Sequence, residues 1–214
     1  MSTASEQAPS LQREWWLRAL AVLQSPQAVF AAMQDSPRAA QARQEPIVAF
    51  VFLAGMAGIL TTSLAGRLLD DRNLDALDVA VWTFLGGGAY GAVVYWLGGA
   101  LLFAAGRALG SHGSYRRARH VLGYAAAPLA LSLVLVWPVR LAVYGLDVFR
   151  TGGSDAGAGD KIFEALALGF GAWALVLLVI GTRAVHGWPW LRALGAVLLA
   201  AAPVGLIVAL SALN

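Results

Sequence analysis

The chain has 214 residues, of which 59% are hydrophobic and only 13% are charged, and its formal net charge is +3. A typical soluble domain is about 45–50% apolar and about 25% charged, so this composition excludes an ordinary soluble protein and indicates an integral membrane protein. The basic residues are scattered between hydrophobic stretches and do not form one face, so no nucleic-acid partner is expected. Because the chain contains no cysteine, disulfide bonds and thiolate chemistry are excluded.

The region that precedes the first hydrophobic stretch is too polar to cross a bilayer. Residues 1–10 are expected to be disordered, and residues 11–45 are expected to form short amphipathic helices on the cytoplasmic membrane surface. Trp15 and Trp16 are predicted lipid-binding residues, because the indole ring favours the headgroup level. The alternative is that these helices simply pack beneath the bundle.

Residues 46–214 are predicted to form a membrane domain of five helical spans. The five hydrophobic stretches contain no charged residue, and at 1.5 Å per residue they are about long enough for a hydrocarbon core of about 30 Å. The second stretch is longer than needed and is expected to tilt or to project beyond the bilayer. The predicted fold class is therefore all-α, a five-helix transmembrane bundle with spans near residues 47–66, 79–106, 121–139, 165–182 and 194–213.

The distribution of arginine predicts the orientation of the bundle. The N-terminal region and the second and fourth connecting loops carry more basic residues than the first and third loops. The positive-inside rule therefore places the N-terminus in the cytoplasm and the C-terminus outside. The high alanine, glycine and arginine content favours a bacterial source, so the expected location is the bacterial cytoplasmic membrane.

A basic stretch that leads into the third span contains the main candidate site. Arg116, Arg117 and Arg119 follow a Gly/Ser turn, where they are candidates for binding a partner protein or anionic lipid. The alternative is that these arginines only determine the topology.

Prolines predict a kink in the same span. Pro128 lacks an N–H and clashes with the carbonyl of Tyr124, four residues earlier, so the helix is expected to bend there. Tyr124, Pro128 and Pro138 are the hinge candidates, and a kink that serves packing alone is the alternative.

The second span is rich in glycine. Gly87 and Gly91 form a GxxxG pattern, which permits close approach of two helices. Helix packing is therefore the favoured role, and a permeation path is the alternative.

No catalytic, cofactor-binding or metal-binding residue is predicted, and no cofactor is expected. His112, His120 and His186 lack the spacing of a zinc site. Arg140, near the outer end of the third span, is expected to point outward and to pair with Asp147.

Several motifs occur in an order that is typical of a known family. The Gly/Ser turn is followed by Tyr115-Arg116, then by Leu122-Gly123-Tyr124, and then by Pro128. This arrangement resembles the Yip-one family of Ypt/Rab-interacting-type membrane proteins, in particular its bacterial branch. The resemblance covers roughly residues 18–212, and residues 22–30 and 181–188 also look similar to the family.

The resemblance to the Yip-one family implies a fold but no settled activity. It implies a cytoplasmic N-terminal segment and five spans. Eukaryotic relatives bind small GTPases, mainly through a longer N-terminal domain, whereas bacterial members have no settled activity.

The sequence favours a non-enzymatic membrane-organising or partner-binding scaffold. Its expected partners are the lipid bilayer and other membrane proteins, a second copy of the chain included. The alternatives are a small oligomeric transporter or channel and an accessory subunit of a larger membrane complex.

Overall fold

The computed structural model describes residues 21–35 and 45–211, and these are helical with no strand. The α-helices, numbered in chain order, are α1 (Pro26–Asp35), α2 (Glu45–Leu60), α3 (Ala76–Val93), α4 (Gly99–Ala108), α5 (Tyr115–Ala125), α6 (Ala127–Tyr144), α7 (Ala158–His186) and α8 (Trp190–Ser211). A π-helical turn (Val94–Gly98) joins α3 to α4, and the described residues also form 3-10 segments at Ala65–Asp70 and Gly145–Phe149.

Four helical stretches among the described residues are long and apolar enough to cross a membrane. The first runs without interruption through α3, the π-helical turn and α4, and the second contains both α5 and α6. The remaining two are α7 and α8, the latter over Trp190–Ile207. The helix α2 is apolar but has 16 residues, about 24 Å of rise, which is shorter than a hydrocarbon core of about 30 Å.

The helix α2 ends before the predicted boundary of the first span at residue 66. It stops at Leu60, where the hydroxyls of Thr61 and Thr62 each donate a hydrogen bond to the carbonyl three residues earlier, at 2.7 and 2.6 Å. Such bonds offer the backbone an alternative to further helix. The predicted stretch 47–66 is therefore a shorter helix followed by a turn.

The third predicted span is divided into two helices. The break lies at Ala126, between Tyr124 and Pro128, and Pro128 lies in the first turn of α6. A proline in the first turn costs no intrahelical hydrogen bond, which explains why the chain starts a new helix there. Pro138 lies inside α6, which continues to Tyr144.

Glycines bring the backbones of α2 and α3 together. A Cβ atom added at Gly87 would lie 2.6 Å from Cα of Met56, and one added at Gly55 would lie 2.7 Å from Cα of Gly91. Any larger residue would force the two helices apart. Gly55, which the sequence pattern did not single out, completes the contact with the GxxxG pair.

Two clusters of buried residues lie at opposite ends of the bundle. One includes Phe30, Ile47 and Tyr95, and the other includes Val79 and Trp137. Between the clusters, large apolar side chains face outward toward lipid. We call the end that holds the first cluster the basic end (residues 21–35, 94–124 and 181–197), and the other the cleft end (residues 60–79 and 137–164).

Candidate functional site

A buried arginine at the basic end, Arg119, lies among aromatic rings. The residue is 7% exposed, and its Cζ lies 3.8 Å from the ring centroid of Trp96, 4.7 Å from that of Tyr115 and 5.3 Å from that of Tyr95. A guanidinium at this distance from a ring face is attracted by about 0.5–2 kcal/mol. We call Tyr95, Trp96 and Tyr115 the aromatic cage.

The π-helical turn supplies two of the three rings of the aromatic cage. Tyr95 and Trp96 both lie in this turn, and the Tyr115 hydroxyl donates a hydrogen bond to the Trp96 carbonyl at 2.8 Å. Gly99 follows the turn, and a Cβ atom there would collide with the side chain of Arg119. The turn and the glycine therefore make room for the arginine, in a type of helix irregularity that is frequent at functional sites.

No described carboxylate neutralises Arg119. Its Nε and Nη1 atoms are buried without a hydrogen-bond partner, and none of the ion pairs within residues 21–35 and 45–211 involves it. The sequence has no aspartate or glutamate in residues 79–146 or 165–214. These stretches contain the arginines of the basic end, which are Arg107, Arg116, Arg117, Arg119, Arg183 and Arg192.

Burial divides the arginines of the predicted site into two groups. Arg116 is exposed and Arg117 is half-buried, so both are available to a partner or a lipid, whereas Arg119 is enclosed and holds α5 against the π-helical turn. The two predicted lipid-binding tryptophans, Trp15 and Trp16, lie outside the described residues.

A half-buried arginine, Arg140, lies at the cleft end and is paired with carboxylates. Its Nε donates to Oδ2 of Asp155 at 3.1 Å, and its Nη2 donates to Oδ1 of Asp160 at 3.1 Å. The Arg140 and Asp155 side chains are only 15% and 8% exposed. The rings of Trp137 and Phe163 each lie 5.3 Å from Cζ of Arg140. Arg140 is thus a charged cross-link between α6 and the start of α7.

The expected pairing of Arg140 with Asp147 is wrong. The loop that follows Asp147 returns to the bundle through Gly157, whose φ of +95° few other residues adopt, and it places Asp155 against the guanidinium. Asp147 lies instead 3.8 Å from Nε of Arg150. Arg140 therefore points into the protein and not outward.

Arg140 lines a cleft of about 690 Å³ at this end of the bundle. The cleft also contains two further arginines, Arg67 and Arg150, and two acidic residues of α7, Asp160 and Glu164. Asp160 and Glu164 are four residues apart and so share one face of their helix. Groups of both charges therefore line the same cavity.

Hydrogen bonds between Asp70 and Thr151 form a tether that joins the two segments carrying the further arginines, Arg67 and Arg150. The Asp70 carboxylate accepts hydrogen bonds from the Thr151 hydroxyl at 2.6 Å and from the Thr151 N–H at 2.9 Å. The bond from the Thr151 hydroxyl is the largest of the effects that hold the pKa of Asp70 below its ordinary value of 3.8, and the charges of Arg150 and Arg67 add to it. Arg67 lies three residues before Asp70 in sequence, and Arg150 directly precedes Thr151.

The sequence patterns did not reveal the cleft, because its lining comes from three separate stretches, residues 60–67, 137–140 and 148–167. The only local signal is the run of glycine and aspartate in residues 152–160. No group of three or more acidic or histidine side chains in the described part of the chain is arranged to hold a metal ion. His186 instead contacts Ser111, with 3.2 Å between Nδ1 and Oγ.

Comparison with known proteins identifies the family. A search of curated proteins and a search of solved structures each found no match. The Yip1 domain, by contrast, matches residues 20–213, which is nearly the whole chain. The apolar helices of the bundle agree with this assignment. The chain therefore belongs to the Yip1 family of multi-pass membrane proteins.

Proposed function

We propose that this protein is a non-enzymatic membrane-organising scaffold of the bacterial cytoplasmic membrane, which binds anionic lipid or partner proteins at its basic end. The observation that carries the proposal is the unbalanced charge of that end. Arg116 and Arg117 are accessible, and Arg119 is held by ring faces without a described counter-ion. Such a surface attracts anionic headgroups at about 1 kcal/mol for each basic residue near the membrane.

The proposal includes five crossings with the N-terminus in the cytoplasm. Arg119 and Arg140 are 21 residues apart in sequence (140 − 119), or about 31 Å of helical rise, which is close to the thickness of the hydrocarbon core. The two arginines then lie at the two membrane surfaces, and α2 crosses the same layer as a short fifth span. The positive-inside rule favours the basic end on the cytoplasmic side.

Single cysteines test this topology cleanly, because the chain has none of its own. His112→Cys labels an exposed position at the basic end, and Arg72→Cys labels an exposed position at the cleft end. In intact cells, a membrane-impermeant maleimide is expected to react with Cys at position 72 and to reach position 112 only after lysis. The reverse pattern contradicts the orientation, and equal labelling contradicts a fixed one.

A charge reversal tests binding at the basic end. The protein in neutral-lipid nanodiscs is mixed with anionic vesicles, and bound protein is measured by co-flotation. Arg116→Glu combined with Arg117→Glu is expected to reduce binding more than tenfold, because two attractive charges become repulsive. Arg72→Glu, an exposed arginine at the other end, is the matched control and should have little effect. If the double variant binds as well as the unmodified protein, the proposal fails.

Partner binding has its own readout. The native protein is purified from its membrane with and without the double charge reversal, and co-purifying proteins are compared. A partner that is lost with the reversal but retained with Arg72→Glu supports a partner-binding scaffold.

A further inference from the structure

We propose that the cleft at the opposite end binds the headgroup of a phosphoethanolamine lipid. In this arrangement the phosphate lies by Arg67 and Arg150, and the primary ammonium lies by Asp160 and Glu164. The proposal does not depend on binding at the basic end, because no residue is shared between the two sites.

The first argument is the placement of opposite charges in one cavity. The Asp70–Thr151 tether joins the two segments that carry Arg67 and Arg150, and both arginines line the cleft. The acidic residues Asp160 and Glu164 come from α7 and line the same cleft. A purely anionic ligand would meet the carboxylates, and a purely cationic ligand would meet the arginines. A zwitterion satisfies both.

The second argument is that Glu164 and Arg67 form no ion pair among the described residues, although Asp160 also binds Arg140 at 3.1 Å. Glu164 forms no ion pair or hydrogen bond among the described residues, in contrast to Asp155, whose Oδ2 accepts hydrogen bonds from Nε and Nη2 of Arg140. Arg67 uses only its Nε, which donates to the Ser63 carbonyl at 3.1 Å. Arg150 has only the 3.8 Å contact described above. Its guanidinium and the terminal nitrogens of Arg67 therefore remain as donors for a phosphate.

The third argument is position and size. The cleft lies at the end of the bundle, one span away from the basic end, and therefore at the level of lipid headgroups. Its volume of about 690 Å³ is in the usual range of about 300–1,000 Å³ for small-molecule sites. Trp137, Phe163 and Ala167 add an apolar part to the lining, along which the glycerol and the first acyl carbons of a lipid can pack.

Lipid retention by the full-length protein tests the proposal. The protein in detergent is mixed with equal amounts of phosphatidylethanolamine, phosphatidylcholine and phosphatidylglycerol that have identical acyl chains, and bound lipid is counted by native mass spectrometry. Phosphatidylethanolamine is expected to be retained about tenfold over the other two. Phosphatidylcholine has no N–H donor for the carboxylates, and phosphatidylglycerol has no cation.

Two variants and one control link retention to the cleft. Arg150→Gln and Glu164→Gln change exposed side chains, so folding should be preserved, and each is expected to lower phosphatidylethanolamine retention about tenfold. Arg72→Gln, which is exposed at the same end but does not line the cleft, should not change it. Thermal unfolding of each variant shows whether it is folded.

Three results would overturn the proposal. These are equal retention of the three lipids, a preference for phosphatidylcholine or phosphatidylglycerol, and retention that neither variant lowers. Competition with glycerophosphoethanolamine, the headgroup without acyl chains, distinguishes a membrane lipid from a soluble phosphoethanolamine compound as the ligand. Glycerophosphoethanolamine should compete only in large excess, and displacement at equal concentration would assign the site to a soluble compound and overturn the lipid assignment.

Discussion

Arg119 at the basic end and Arg140 at the cleft end differ in what surrounds their charge. Arg119 stacks on three aromatic rings with no described carboxylate beside it, whereas Arg140 contacts two rings and also binds Asp155 and Asp160. Both guanidinium groups keep their positive charge, but the ring faces around Arg119 carry no opposite charge, whereas the two carboxylates beside Arg140 offset its charge locally. The basic end therefore presents a net positive field, whereas the cleft end is cross-linked and, with five basic and eight acidic residues, carries a net charge of −3.

The largest expected effect is a loss of stability when the ion pair between Arg140 and Asp155 is broken. Arg140→Ala leaves Asp155 buried and without its partner, so the free energy of unfolding should fall by about 3–5 kcal/mol. The measurement is unfolding by SDS in mixed detergent micelles. Arg140→Met combined with Asp155→Leu removes both charges and is expected to recover most of the loss. If Arg140→Ala is as stable as the unmodified protein, the ion pair does not stabilise the cleft end and the proposed difference between the two ends is wrong.

The next largest effect is expected at the close contact between α2 and α3, which lies between the two ends of the bundle. Gly91→Ala places a Cβ atom against the backbone carbonyl of Val51, so we expect a loss of about 1–3 kcal/mol in the same unfolding measurement. Gly169→Ala is the control, because nothing lies within 4 Å of a Cβ atom there. Equal stability of the two variants would show that α2 and α3 do not depend on close contact.

A smaller effect is expected at the aromatic cage. Arg119→Lys keeps the positive charge but loses the planar stack on Trp96, so stability should fall by about 0.5–2 kcal/mol while vesicle binding persists. Arg107→Lys, at an exposed position of the same end, is the control. Unchanged stability of Arg119→Lys would mean that the rings enclose Arg119 without stabilising its charge. The comparison with Arg140 would then have no energetic basis.

The smallest effect is a pH dependence at the cleft end. The pKa of Asp70 is lower in the folded protein than its ordinary 3.8, chiefly through the Thr151 hydroxyl. The contribution of Asp70 to stability is therefore present above pH 3.8 and is lost as the pH falls through the lowered pKa. The melting temperature of the unmodified protein should fall more steeply below pH 4 than that of Asp70→Asn. Parallel pH profiles would contradict this assignment.

Much of the fold could be predicted from local patterns. Hydropathy identified a membrane protein and the approximate stretches of its apolar helices, and the positions of Gly87, Gly91 and Pro128 indicated where helices approach closely or break. The exact ends were less predictable. The helix α2 is shorter than expected because side-chain hydrogen bonds after Leu60 compete with the backbone, and hydropathy does not register that competition.

The candidate sites were predictable only in part. Arg116, Arg117 and Arg119 were recognised as one basic stretch, but their division into accessible and enclosed residues depends on the helices packed against α5. The π-helical turn at Tyr95 and Trp96 leaves no periodic signal, because α3 is apolar on all sides and a shift of helical register therefore does not change its pattern.

The sequence by itself determined that this protein is a helical membrane protein of the Yip1 family, because hydrophobicity, arginine placement and motif order are local properties of the chain. Only the tertiary structure decided which charges meet. Asp155 and not Asp147 reaches Arg140, and Arg67 joins Arg150 and Glu164 in one cleft, because these contacts depend on the path of loops and on how distant helices pack. Neither the path of a loop nor the packing of distant helices can be read from the spacing of residues along a single span.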